Sequence, residues 1–436
     1  MRTREKAKFT CVDARMLFLI ALLCGFALSA GATNPLKILL GFNGPNGSSP
    51  TDTLVADANG NIYGTTTQGG LHNDGVVFEL TPTAQGPWKE TILHNFAGGN
   101  DGVNPWAGVI FDNEGNIYGT TGFGGGSASC TSGCGIVFQL IKDSGGTWTE
   151  HILYTFSGKS DGSNPVGLAI DAAGNLYGTT EAGGSQNCTD GCGTIFKLTP
   201  SPSGAWKKTV LHFFRTGPTD GANPDATLVF DSQGNLYGTS NGGGNTGCYF
   251  LGCGTVFELK PAPGGGWSYQ VIYFFGVAPD GFGPVGALVF DKQGHLFGTT
   301  VVGGGTSCPD YGCGTLFELT PQGNNPWTES VLYRFQGGED GAFPYAPLVF
   351  SPEGNIYITT EAGGHAQTCA GFGCGTLEGL TPSGSGTLTG NVLIHWGASP
   401  GIEPWAGLII DANGNLYGTV REGGSDNNGL VFEYTP

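Results

Sequence analysis

Apolar residues in this chain gather in short, strand-length runs rich in β-branched and aromatic side chains, and Gly, Asn, Asp or Pro ends each run. No stretch from Thr33 onward carries the periodicity of a helix. Around position 230 the pattern is clear. Ala226-Thr227-Leu228-Val229-Phe230-Asp231 predicts a strand, Ser232-Gln233-Gly234-Asn235 a turn, and Leu236-Tyr237-Gly238-Thr239-Ser240 a second strand. In the Asp-x-x-Gly-Asn link, Asp caps the turn and Gly takes the positive-φ position. A Gly-rich loop leads to a third strand, Gly254-Thr255-Val256-Phe257-Glu258-Leu259, and a Pro/Gly turn to a fourth, over residues 267–275.

This unit occurs seven times. The phrase Gly60-Asn61-Ile62-Tyr63-Gly64-Thr65-Thr66 has copies beginning at Gly115, Gly174, Gly234, Gly294, Gly354 and Gly414, and from Gly174 onward the interval between starts is constant. A fixed period of this kind marks an array of one supersecondary unit. Four short antiparallel strands per unit predict an all-β fold, the β-propeller. The last unit stops at its third strand, Val431-Phe432-Glu433-Tyr434, whereas Leu36-Lys37-Ile38-Leu39-Leu40-Gly41-Phe42 has the pattern of a fourth strand. Pairing the two ends completes a seventh blade and removes two open sheet edges. The expectation is one seven-bladed domain over residues 33–436, closed by an N-terminal outer strand, with the cysteine loops and the Asp-Gly-x-x-Pro loops on a common face.

The stretch ahead of Thr33 differs. Arg2, Arg4, Lys6, Lys8 and Arg15 precede an apolar run over residues 16–28, and Ala30-Gly31-Ala32 offers a cleavage site. This describes a signal peptide, so the mature chain is expected to be secreted or periplasmic, without a membrane span. Removing that leader leaves 12 basic and 33 acidic residues, a net charge of −21. Such a surface excludes nucleic acid and anionic headgroups as partners. Nothing in the repeat calls for a second copy, and a monomer is expected. Ten cysteines form close pairs at one place in the repeat: Cys130/Cys134, Cys188/Cys192, Cys248/Cys253, Cys308/Cys313 and Cys369/Cys374. In an exported chain these read as local disulfides, each contributing about 2 kcal/mol on a chain-entropy basis. Zinc is the competing reading, but no His recurs beside the pairs.

The phrases Gly-Asn-Leu-Tyr-Gly-Thr-Thr, Gly-x-Val-Phe-Glu-Leu and Asp-Gly-x-x-Pro, recurring in order from unit to unit over positions 36–436, resemble the GloVer-type tandem repeats of bacterial exported proteins, often described as choice-of-anchor proteins. The Asp-x-x-Gly-Asn-Leu-Tyr phrase is more distantly similar to NHL-type propellers. The resemblance implies export and a repeat fold, with no activity attached.

No catalytic set emerges from the sequence. The series Asp57, Asp112, Asp171, Asp231, Asp291 and Asp411 invites calcium, yet turn capping accounts for it, and Ser351 substitutes in the sixth unit. No cofactor is called for. His94 and His212 hold the fourth-strand place of Tyr154, Tyr273 and Tyr333, His295 replaces a turn Asn, and His72 and His365 lie in loops of different units; the histidines are expected not to converge. Trp88, Trp148, Trp206, Trp267 and Trp327 open fourth strands and are expected to pack between blades, with sugar stacking as the alternative. The inward positions of the first strands are mostly Leu, Val and Ile, which predicts an apolar channel. The sixth unit departs from the pattern, with Ile358 for Gly, Glu378 for Phe and no Trp opening its fourth strand. After Gly-Thr-Thr the residue varies: Glu181, Asn241, Val301, Glu361 and Arg421. Of these, Glu181, Asn241, Glu361 and Arg421 are the candidate ligand-binding residues. The expected function is a binding or scaffold module for an extracellular protein or glycan. The alternative is a hydrolase or lyase acting on a lactone or polysaccharide at the channel mouth.

Overall fold

The short apolar runs of the repeat fold into seven four-stranded antiparallel sheets, arranged as the blades of a β-propeller. The computed structural model describes residues 34–436 other than 85, 185–187, 189, 249–251, 278, 306–307, 309–311, 324, 366–368, 370–372, 384–385 and 398. The signal-peptide reading of residues 1–32 lies outside the described residues. Among the described residues no helix is long and apolar enough to cross a membrane.

The fourth blade is representative. Its strands are Val229–Phe230, Leu236–Ser240, Thr255–Ala262 and Gly266–Phe274, in that order across the sheet. The innermost strand is shorter than its sequence suggests because residues 226–228 leave the ladder. The neighbouring blade takes up a backbone carbonyl there. In five blades the first of the two second-strand Thr residues donates its hydroxyl to the inner chain of the next blade, as in Thr179 Oγ1 to the Ala226 carbonyl at 3.3 Å, Thr65 to Ala107 at 3.0 Å and Thr359 to Ala406 at 2.8 Å, whereas Thr239 and Thr419 make no such bond among the described residues.

The ring closes as the sequence predicts. Leu36–Gly41 pairs antiparallel with Leu430–Tyr434, placing Leu36 opposite Tyr434, Ile38 opposite Phe432 and Gly41 opposite Leu430. Each interface between blades has its own apolar cluster. Leu39, Phe42, Tyr417 and Val431 of the last blade meet Leu54, Ile62 and Phe78 of the first, just as Phe96 meets Phe138 further round. A buried outer-strand ring sits edge-on to the third-strand Phe of the next blade: Phe42 and Phe78 have centroids 5.3 Å apart, Phe156 and Phe196 5.2 Å, and Phe275 and Phe317 5.0 Å. Burial of one such side chain stabilises by roughly 1.5–3 kcal/mol. The Trp series does pack between blades. Trp267 lies 5.6 Å from Tyr177, Trp327 5.9 Å from Tyr237, and Trp88 6.1 Å from Tyr417.

All five cysteine pairs are disulfides: Cys130–Cys134, Cys188–Cys192, Cys248–Cys253, Cys308–Cys313 and Cys369–Cys374. They indicate an oxidising, extracytoplasmic setting. The turn Asp residues act as caps. Asp57 Oδ1 accepts the backbone N–H groups of Asn59 and Asn61, while Oδ2 accepts the Asn61 side chain and the Tyr63 hydroxyl. The loop Asp residues cap as well. Asp161 accepts Ser157 N–H and the Tyr154 hydroxyl, and His94 and His212 replace that Tyr by facing Asp101 and Asp220 at 3.2 Å and 3.1 Å.

Candidate functional site

The Asp-Gly-x-x-Pro loops hydrogen-bond to the starts of the cysteine loops, as in the pairing of Gly221 with Gly243, so both families share one face. Each loop ends at a proline, and the next residue lines a cavity of about 630 Å³ at the channel mouth. Three of these residues are aromatic, Trp106, Tyr345 and Trp405. Asp225 supplies a carboxyl at the same register, and Thr51, Val166 and Val285 complete the ring. The expectation of an apolar channel is met only in part, because Val55, Val109, Ile110 and Leu168 share the lining with Asp52, Glu181, Asp225 and Arg421. Inner-strand Leu54, Leu228, Leu288 and Leu348 turn sideways into the clusters between blades, leaving the variable residue after the proline to face the cavity.

The aromatic groups are held in place. A side chain at Gly122 would collide with the Trp106 indole, so glycine is what lets that ring lie where it does, 5.1 Å from Phe123. Trp405 stacks on Tyr345 at 5.6 Å and 26°, and the Arg421 guanidinium sits 4.2 Å from its ring centre. Arg421 is fixed by an ion pair to Glu403 at 3.1 Å.

Of the residues singled out by sequence, Glu181 and Arg421 line the cavity. Glu361 lies beside Arg421, Glu403 and Trp405; burial raises its carboxyl, as does the charge of Glu403. Asn241 is exposed, outside the cavity lining, and its backbone N–H is bonded to the Asn223 carbonyl.

Sequence reasoning missed Asp52 and Asp225. Asp52 is enclosed by protein in the channel, and that enclosure raises its carboxyl although it accepts the N–H groups of Thr53 and Gly108. It therefore ties the first blade to the second. Asp225 is open to channel water yet surrounded by the ring. Enclosure, together with the charges of Glu181 and Asp52, pushes its carboxyl up to about 8. Burial raises Glu181 as well. No hydrogen bond from a described residue reaches the carboxyl of Asp225 or Glu181. The signal for Asp225 was available as chemical variation at one fixed register after the loop proline.

The histidines are a second correction. His365 and His395 stack with centroids 4.5 Å apart, and Glu339 lies 3.2 Å from His365 Nδ1. A loop and an outer strand meet there, with Gly364 and His365 lying against His395.

The Gloeobacter/Verrucomicrobia repeat model matches residues 26–151, 127–372 and 307–436. No curated protein matches the chain. Among solved structures, PorZ, a surface component of the type-IX secretion system of Porphyromonas gingivalis, aligns at 14% identity and a TM-score of 0.51 over 91% of this chain and 47% of its own; this chain thus spans about half its length. A gluconolactonase of Xanthomonas campestris aligns at 12% identity and a TM-score of 0.37, covering 69% of this chain and 79% of that one.

Proposed function

The chain belongs to the Gloeobacter/Verrucomicrobia repeat family, and from that premise we propose that it is an exported binding module that takes a polyhydroxylated ligand, the end of a glycan, into its channel mouth. The observation that carries this reading is the pair of unbonded carboxyls, Asp225 and Glu181, in a cavity walled by Trp106, Tyr345 and Trp405. Aromatic faces suit the apolar faces of sugar rings. A carboxyl whose proton is held to about 8 both donates and accepts at neutral pH, which suits a hydroxyl. The net negative charge of the chain disfavours anionic sugars. Export rests on the basic and apolar leader and on the disulfides. N-terminal sequencing of secreted protein tests it, with a start near Thr33 expected.

Glycan-array screening followed by calorimetric titration tests the ligand class. Trp405→Ala and Asp225→Asn each lose binding of whatever neutral glycan the unaltered chain selects. Absence of any glycan binding, with capture of a protein partner instead, overturns the reading. The proximity of Glu181 and Asp225 also favours a catalytic alternative, an acid and base pair for a polysaccharide or lactone. New reducing ends or a ring-opened acid, lost in Asp225→Asn, would establish it.

A further inference from the structure

The sixth blade carries a group of side chains that the channel mouth does not use. Glu339 stands just ahead of the Asp340-Gly341 loop entering this blade, His365 follows Gly363-Gly364 in its cysteine loop, and His395 lies on the outer strand Leu388–His395, opposite Thr376. Their potential ligand atoms all lie within 4.8 Å of one another. We propose that Glu339, His365 and His395 form a binding site for a divalent transition-metal ion of the zinc and copper class on the loop face of the sixth blade.

The repeat supplies the comparison. The equivalent positions in other blades carry other chemistry. In the second blade they are Asn100, Gly126 and Thr155, and a side chain at Gly126 would collide with the Asn100 amide. In the fifth they are Pro279, Gly305 and Arg334, and Arg334 bonds the Pro279 carbonyl. The fourth unit has Thr219, Asn245 and Phe274. Only in the sixth do all three become metal-ligating types, although they come from three separate segments.

The donor set decides the class of ion. Two imidazoles and one carboxylate suit zinc, copper or nickel, whereas calcium prefers oxygen alone. Tetrahedral zinc with bonds near 2.0–2.1 Å places ligand atoms roughly 3.3 Å apart. His365 and Glu339 are already 3.2 Å apart, and both side chains are exposed, at 64% and 76%, so closing on an ion needs small rotations only. His395 Nδ1 is shielded from solvent and makes no hydrogen bond within the described structure.

The test uses the untagged chain, stripped with chelator and titrated with zinc chloride near neutral pH by calorimetry, with copper added substoichiometrically for electron paramagnetic resonance. Saturable binding of one ion is expected, with nitrogen hyperfine structure on the copper signal. His365→Ala and His395→Ala should each weaken binding at least about tenfold. His365 is in an exposed loop, and an unchanged circular-dichroism melt confirms that its variant stays folded. Either absence of saturable binding by the unaltered chain or undiminished binding by His365→Ala overturns the proposal and leaves a stacked histidine pair beside a glutamate.

Discussion

Ile358 and Glu378 are direct partners across the second and third strands of the sixth blade, at the register where every other blade pairs Gly with Phe. In the fourth blade these partners are Gly238 and Phe257, and a side chain at Gly238 would lie 2.6 Å from the ring. The exchange is therefore reciprocal, because bulk moves from one strand to the other. Ile358 joins Phe335 in the core between the fifth and sixth blades, and Glu378 is fully buried, accepting the Thr376 hydroxyl at 2.8 Å. Glu378→Phe alone should overpack against Ile358 and destabilise by about 1–3 kcal/mol. The double change Ile358→Gly with Glu378→Phe should recover that loss. A double-mutant cycle from denaturant unfolding measures the coupling, and additive effects would contradict it.

Buried acids make stability depend on pH in a stated direction. Burial and the Asp340 charge push Glu378 up to about 8, burial and Asp101 push Glu150 up to about 9, and burial and Asp280 push Glu329 up to about 7. In each case the folded chain holds a proton that the unfolded chain, titrating near 4.5, has released. Their contribution is complete below the unfolded value and is lost as pH rises through about 7 to 9. Asp57, Asp112, Asp171 and Asp411 behave oppositely. Partial burial raises them, but Asn side chains and backbone N–H groups outweigh it and lower them, so their contribution vanishes on acidification below 3.8. The melting temperature should peak in weak acid, and Glu378→Gln should flatten the alkaline decline. A melt that rises steadily from pH 5 to 9 would contradict this.

Features that depend on the spacing of the repeat were legible before any coordinates. Ring closure, the disulfides, the capping role of Asp57 and the equivalence of His94 with Tyr154 all follow from one residue type standing at a fixed place in each unit. What escaped depends on where the backbone turns a side chain. Leu228 and Asp225 lie three positions apart in one inner segment, but residues 226–228 leave the ladder, so the leucine enters the core while the aspartate faces the cavity. The meeting of His365 with His395 depends on where a loop residue comes to rest beside a strand. Ile358 and Glu378 were each visible as departures, but only register shows that they compensate.

One glycine sets the spacing between consecutive blades. Gly254 has φ +89°, and a Cβ there would lie 2.5 Å from the Pro284 ring of the next loop and 2.6 Å from the Ser240 carbonyl. Both the left-handed backbone and the contact forbid a side chain. Gly254→Ala should destabilise by about 1–3 kcal/mol, whereas the same change at Gly264, also left-handed but in open space, should cost about 1 kcal/mol. Chemical denaturation of the two variants separates strain from collision, and equal losses would mean that the proline gives way.

If the seam between the chain ends is a full interface, it must respond to truncation as the continuous interfaces do. Phe42 and Phe96 are both completely buried, and each meets a third-strand Phe at 5.3 Å, Phe78 and Phe138 respectively. Only the first contact depends on a strand supplied from the other end of the chain. Large-to-small substitution at such a site typically costs about 3–5 kcal/mol. Phe42→Ala and Phe96→Ala should therefore destabilise to within about 1 kcal/mol of each other, within the usual spread between sites. Ile38, 42% exposed on the same strand, should tolerate alanine far better. A much smaller loss for Phe42→Ala than for Phe96→Ala would show a seam that opens before the rest of the ring, with unfolding no longer two-state. Equal losses would show that the terminal strand behaves as an integral fourth strand of the seventh blade.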